Sequence, residues 1–183
     1  LDPLAGAAPF PGRWSMRILR SNPLDVASAY LEGGYNGDAR EYLERSLATV
    51  GGEDTAAKLR VADVFLKLAE LDRIEEKHES AIRNYRQALA ANPKLTPAQI
   101  FLALSLADLG RADDALQSVA NLKLAAPGNP NFLNLEADIH RAIGNDAKAV
   151  AGYRAVLAAN ARYIPAIQAL ASIMATSADE NVR

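Results

Sequence analysis

Alanines stand at 81, 115 and 149, an interval of 34 residues. Tyr85, Val119 and Tyr153 follow them by four residues, and Ala88, Leu122 and Val156 by seven. In the facing helices, Ala103, Ala137 and Ala171 keep the interval, as do Leu106, His140 and Met174, and Gly110 and Gly144 mark two turns. Pro93 and Pro127 close the first two units, and Ala161 stands in that place in the third. A period of this length directs a chain to stack like units on one another, and so limits the possible folds more than any other feature of the sequence. Alanine suits a helix and takes little space, so alanines at fixed places in both helices of a unit let them cross closely. Proline then ends the second helix, because it has no N–H to donate and clashes with the preceding turn.

This grammar resembles the tetratricopeptide repeat. The resemblance covers about residues 23–176. It implies an all-α fold, a right-handed α-solenoid of about four and a half antiparallel helix pairs. The spacing predicts helix pairs 97–109 with 112–125 and 131–143 with 146–159, and a further first helix over 163–176. Helix 56–70 is paired with 78–91. The join 71–77 is then about seven residues longer than the standard unit. Its LDRIEEK sequence forms helix readily, so one of the two helices is expected to continue into it. Ala27, Tyr30, Gly34, Ala39 and Leu43 predict a degenerate first unit over 23–49, after which Gly51 and Gly52 break the chain.

Residues 1–22 carry Pro3, Pro9 and Pro11 and are expected to form an extended arm, with Trp14 and Ile18 covering the open end of the first unit. Residues 177–183 are expected to be a tail or the start of a truncated second helix, beginning near Asp179 in a piece of a longer repeat protein. In the last helix, Ile167, Leu170, Ala171 and Met174 are expected to face inward, with Ala169 and Ile173 outside that stripe.

The formal charge of −2 gives no overall field for nucleic acid or an anionic membrane. The absence of cysteine rules out disulfides, thiolate metal sites and a cysteine nucleophile. It suits cytosol and periplasm alike. No run of about 18 apolar residues spans a membrane.

Chemistry-bearing motifs are sparse. Glu75 and His78 have the spacing of two ligands on one helical face, but a di-iron site needs a second such motif and two more glutamates. Glu136 and His140 lack converging carboxylates, and His140 occupies the slot of Leu106 and Met174. It is read as a packing residue with a hydrogen bond. Gly33, Gly34 and Gly37 lack the lysine of a phosphate loop and suit a turn between helices. The pairs Asp113–Asp114 and Glu75–Glu76 are read as helix starts, where acids complement the dipole. No metal, cofactor or catalytic group is expected.

The resemblance implies instead a concave groove lined by the first helix of each unit. In this sequence the groove positions are Ser28 in the first unit, and Leu59, Asp63 and Lys67 in the second. They continue as Ile100, Leu104 and Asp108, then Asn134, Asp138 and Arg141, and finally Gln168. Chaperone-binding relatives clamp a C-terminal carboxylate with lysine and asparagine, and Leu59, Asp63, Ile100 and Leu104 depart from that pattern. Asp63, Asp108 and Asp138 are expected to face one cavity and to favour a protein or peptide segment with basic and apolar residues. The implied function is an adaptor or assembly scaffold, by analogy in envelope assembly, pilus assembly or polysaccharide export, which favours the periplasm. Self-assembly through repeat ends, as a homo-oligomer, is the second expectation. A binding domain of a longer multidomain protein is the third.

Overall fold

The computed structural model describes residues 23–50, 52 and 54–176. The N-terminal arm with Trp14 and Ile18, and the segment 177–183, lie outside the described residues. Among the described residues there are nine α-helices and no strand. They are α1 (Pro23–Glu32), α2 (Asn36–Thr49), α3 (Thr55–Ile74), α4 (His78–Ala91), α5 (Thr96–Asp108), α6 (Ala112–Ala125), α7 (Pro130–Ala142), α8 (Asp146–Ala159) and α9 (Ile164–Thr176). The chain divides into two compact units, Leu1–Gly51 and Gly52–Arg183.

In the first unit α1 packs on α2, with Val26, Ala27, Ala39 and Leu43 buried between them. The Tyr30 and Tyr42 rings meet at 6.4 Å. In the second unit α3 pairs with α4, α5 with α6 and α7 with α8, each pair packs on the next, and α9 packs on α8. The alanines of the repeat sit at the crossings: Ala69, Ala81, Ala103, Ala115 and Ala149 are fully buried. Tyr85, Val119 and Tyr153 fill the space around them. Burying a large apolar side chain stabilises by about 1.5–3 kcal/mol, so the buried side chains at each crossing outweigh any single surface contact.

The turn within each pair is made the same way. The N–H groups of Lys77, Arg111 and Asn145 reach back to the carbonyls of Asp72, Leu106 and His140, each at 2.8 Å. This closes the helix C-terminus and requires a left-handed residue just before the donor. Gly110 and Gly144 fill that place at φ 73°. Glu76 fills it after α3, at φ 58°.

Several expectations change. α3 does continue through the join, to Ile74, and the turn that follows is three residues long, as it is after α5 and α7. The unit is therefore of standard length there. The added turns lie at the front of α3, where Thr55 starts the helix ahead of the place corresponding to Thr96. Asp54 caps that start by accepting from the Ala57 N–H. Glu75 and Glu76 lie in the turn after α3 rather than at the start of α4, and Glu75 and His78 do not share a helix. Gly37 lies in α2, not in the turn before it. His140 is half-buried in its packing slot, but its Nδ1 has no hydrogen-bond partner among the described residues.

The inner face of α9 also differs from the expected one, except at Leu170. Ala166 and Ile173 are buried, and Ala169 and Leu170 pack beside them, whereas Ile167, Ala171 and Met174 are exposed. The repeat slots explain why. Ile173 corresponds to the buried Ile139, which packs in the core cluster of the preceding pairs. Ala171 corresponds to Ala137, whose slot is buried by a unit's own second helix.

Candidate functional site

Three predicted groove residues come together on α7. Asn134 and Asp138 are one helical turn apart, and the Asn134 Nδ2 donates to Asp138 Oδ2 at 2.8 Å. The second oxygen, Asp138 Oδ1, accepts from the Tyr153 hydroxyl of α8 at 2.6 Å. Burial first, and then the bond to Asp138, push the Tyr153 hydroxyl far above the ordinary phenol range, while the nearby Arg141 opposes the shift. Tyr153 is therefore a neutral donor, and Asp138 is held by two donors. Just before α9, the Tyr163 hydroxyl donates to Asn131 Oδ1 at 2.8 Å. Burial and the Asp138 charge raise its pKa as well. Asn134 is only 8% exposed, and its Oδ1 has no partner among the described residues.

The neighbouring α5 touches α7 and contributes apolar surface, with Ile100 and Leu104 partly buried against the core. Asp108 is exposed at the far end of α5, where its carboxylate lies 3.9 Å from His78 Nδ1. His78 in turn lines an open pocket of about 510 Å³ with Glu76, Lys77, Ser80, Arg83 and Leu109. That pocket mixes both signs of charge at the turn end and contains none of the α7 residues.

On α3 the corrected register matters. Ala69 takes the slot of Ala103 and Ala137, so Leu66, Glu70 and Ile74 correspond to Ile100, Leu104 and Asp108. Leu59, Asp63 and Lys67 sit seven residues earlier. Seven residues are nearly two helical turns, so these three keep roughly the same face of α3 but lie about 10 Å towards its start. Leu59 falls in the added turns, which have no counterpart in α5 or α7. Burial raises the Asp63 pKa against the opposing Lys67 charge, and Lys67 donates to Glu70 at 2.8 Å. Gln168 is exposed on α9, and Ser28 is half-buried on α1 of the first unit.

Asp63, Asp108 and Asp138 thus stand at separate places, and among the described residues no three acidic or histidine side chains gather as metal ligands. Tyr153, Tyr163 and Asn131 were missed from the sequence. Tyr153 reads there as a core filler, and nothing local shows where its hydroxyl goes. A comparable cluster lies one pair earlier. Arg73 is 5.1 Å over the Phe101 ring, which stacks on Tyr85 at 6.1 Å. Burial pushes Tyr85 up to about 12.

Paired antiparallel helices, crossing at alanines and repeated along the chain, define a helical-repeat protein. Residues 74–139, from the end of α3 into α7, match the family model of the tetratricopeptide repeat. Solved structures share the fold. MamA is 20% identical at a TM-score of 0.62, with 78% of each chain covered. YrrB, a tetratricopeptide-repeat protein with an unusual peptide-binding site, is 20% identical at a TM-score of 0.65, covering 82% of this chain and 76% of its own. A tetratricopeptide-repeat protein from Parabacteroides merdae is 19% identical at 0.65, covering 79% of this chain and 54% of its own. No curated protein matches the chain by sequence.

Proposed function

We propose that the protein is a scaffold that binds a peptide segment of a partner protein along the α5–α7 face of the second unit. The carrying observation is the α7 network. The Asp138 carboxylate of α7 is held in place by Tyr153 and Asn134, and α7 touches α5 with its partly buried apolar Ile100 and Leu104. Fixed polar groups next to apolar surface suit an extended segment that presents a basic group to Asp138 and apolar side chains to α5. The fold supports the same reading. Tetratricopeptide repeats generally act as scaffolds, and the similar YrrB has a peptide-binding site. A place in envelope assembly, pilus assembly or polysaccharide export is an analogy with the family and rests on no residue described above.

A peptide library graded in basic and apolar content tests the proposal, with affinity measured by calorimetry at two salt concentrations. Basic–apolar peptides should bind best. Asp138→Asn should weaken that binding and flatten its salt dependence, because one of the charges that attract the peptide is gone. Leu104→Glu should weaken it independently. If both variants bind like the parent, the partner uses another surface.

A further inference from the structure

A set of three side chains occurs twice on the second unit. Tyr85, Glu70 and Arg73 precede Tyr153, Asp138 and Arg141 by two whole repeats, and the repeat between them has Val119, Leu104 and Ala107 at these places. The face thus runs polar, apolar, polar from α3 through α5 to α7.

The two polar sets are completed differently. The Tyr153 hydroxyl donates to the Asp138 carboxylate. Tyr85 is fully buried, yet its hydroxyl has no hydrogen-bond partner among the described residues. Glu70 stands where Asp138 would be, but it is engaged by Lys67 at 2.8 Å. The Tyr85 pKa of about 12 keeps the hydroxyl a donor, and of the charges that act on it the Arg73 charge acts most. Arg73 is exposed and has no carboxylate partner among the described residues. It is nevertheless held in place, 5.1 Å over the Phe101 ring of α5. A guanidinium resting on a ring keeps N–H groups for a carboxylate and loses little freedom when one arrives.

An unpaired cation beside a buried donor that lacks an acceptor suits an anion with more than one acceptor oxygen. Two repeats on, the chain itself supplies that group, the Asp138 carboxylate. Because Lys67 already holds Glu70, that side chain does not compete with an incoming carboxylate for Arg73. We propose that Arg73, with Tyr85 beside it, binds a carboxylate of the partner segment, as a second anchor for the peptide whose basic group meets Asp138. The inference rests on the peptide-binding reading and gives the segment a polarity. Neighbouring packed helices lie about 10 Å apart, and Arg73 reaches from α3 over α5, so the two anchors are about 10–20 Å apart. That span takes about three to six residues of extended chain. The segment therefore reads acidic, apolar, basic, with its middle over Ile100 and Leu104.

Calorimetry with blocked peptides of that pattern tests it. One set carries Glu at the acidic position and a matched set carries Gln. A third set ends there in a free C-terminal carboxylate, which separates a side chain from a chain end as the source of the charge. The parent protein should bind the Glu peptide about tenfold more tightly than the Gln peptide. Arg73→Gln should abolish that preference and leave the affinity for the Gln peptide unchanged, with helical circular dichroism intact because Arg73 is exposed. Tyr85→Phe should reduce the preference in part. Asp138→Asn should weaken the Glu and Gln peptides alike. A gain with the third set that Arg73→Gln removes would place a chain end at the anchor. Equal binding of the three sets by the parent would overturn the anchor, as would a preference that survives Arg73→Gln, and in either case binding through Asp138 would stand. If no basic–apolar peptide binds the parent, the peptide-binding reading fails and the anchor fails with it.

Discussion

Gly152 of α8 lies so close to Ala137 of α7 that a Cβ built on it would stand 2.8 Å from the Ala137 Cβ and 3.4 Å from its Cα. Two backbones meet there, so no flexible side chain is available to yield. In an open helix, Gly→Ala gains about 0.5–1 kcal/mol from propensity. Overpacking a tight crossing costs about 1–3 kcal/mol. Gly152→Ala is therefore expected to lose stability on balance, by about 1 kcal/mol. Ala149→Leu, at a fully buried site on the same helix, should lose more. Denaturant unfolding of the two variants checks both signs.

Glu76 holds a left-handed backbone, φ 58°, where Gly110 and Gly144 stand in the next two units. A non-glycine residue held there stores about 1–3 kcal/mol of strain. Glycine removes the strain but loses more entropy on folding, about 0.5–1 kcal/mol. Glu76→Gly is expected to raise the melting temperature, and Gly110→Ala to lower it. Thermal scans of the pair give opposite shifts if the turns are equivalent.

Ser105 is fully buried, and its hydroxyl has no hydrogen-bond partner among the described residues. Leu71, Ile139 and Ile173 occupy its slot in the other units. An unpaired buried polar group costs about 1–3 kcal/mol. Ser105→Ala removes that cost at little loss of volume, so it should leave stability unchanged or raise it. A loss of more than about 1 kcal/mol would mean that the hydroxyl makes a bond in solution.

His140 sets a pH dependence. Burial first, and then the Lys148 charge, lower its pKa, while Glu136 opposes the shift. Above the ordinary imidazole range both folded and unfolded states are neutral, and pH has no effect through this group. As pH falls below about 6.5 the unfolded chain takes the proton first, so stability declines until the lowered folded value is passed. His140→Leu, which copies the Leu106 slot, should remove this part of the decline. Urea midpoints of both proteins from pH 8 to about pH 5 provide the measurement. Parallel curves would show that His140 does not contribute.

The sequence by itself determined the helical repeat. The interval between Ala81, Ala115 and Ala149, and that between Ala103 and Ala137, mark the crossings, because close contact between helices tolerates only small side chains there. Gly110 and Gly144 likewise mark turns that demand positive φ. In α7, Asn134, Asp138 and Arg141 were legible as one face, because residues three and four apart share a side of a helix.

The tertiary structure decided the rest. The phase of α3 was hidden because a shift of seven residues is almost two whole turns, which leaves the apolar pattern nearly unchanged. Only the turn after Ile74 settled it, and there Glu76 takes a conformation that its residue type does not announce. The two faces of α9 are both apolar, so hydropathy alone did not tell the one against α8 from the one left open; packing chose Ala166 and Ile173. The bond from Tyr153 to Asp138 joins two helices, and that from Tyr163 to Asn131 joins the turn before α9 to α7. A hydroxyl's partner depends on where the helices come to rest against each other, and no local pattern encodes it.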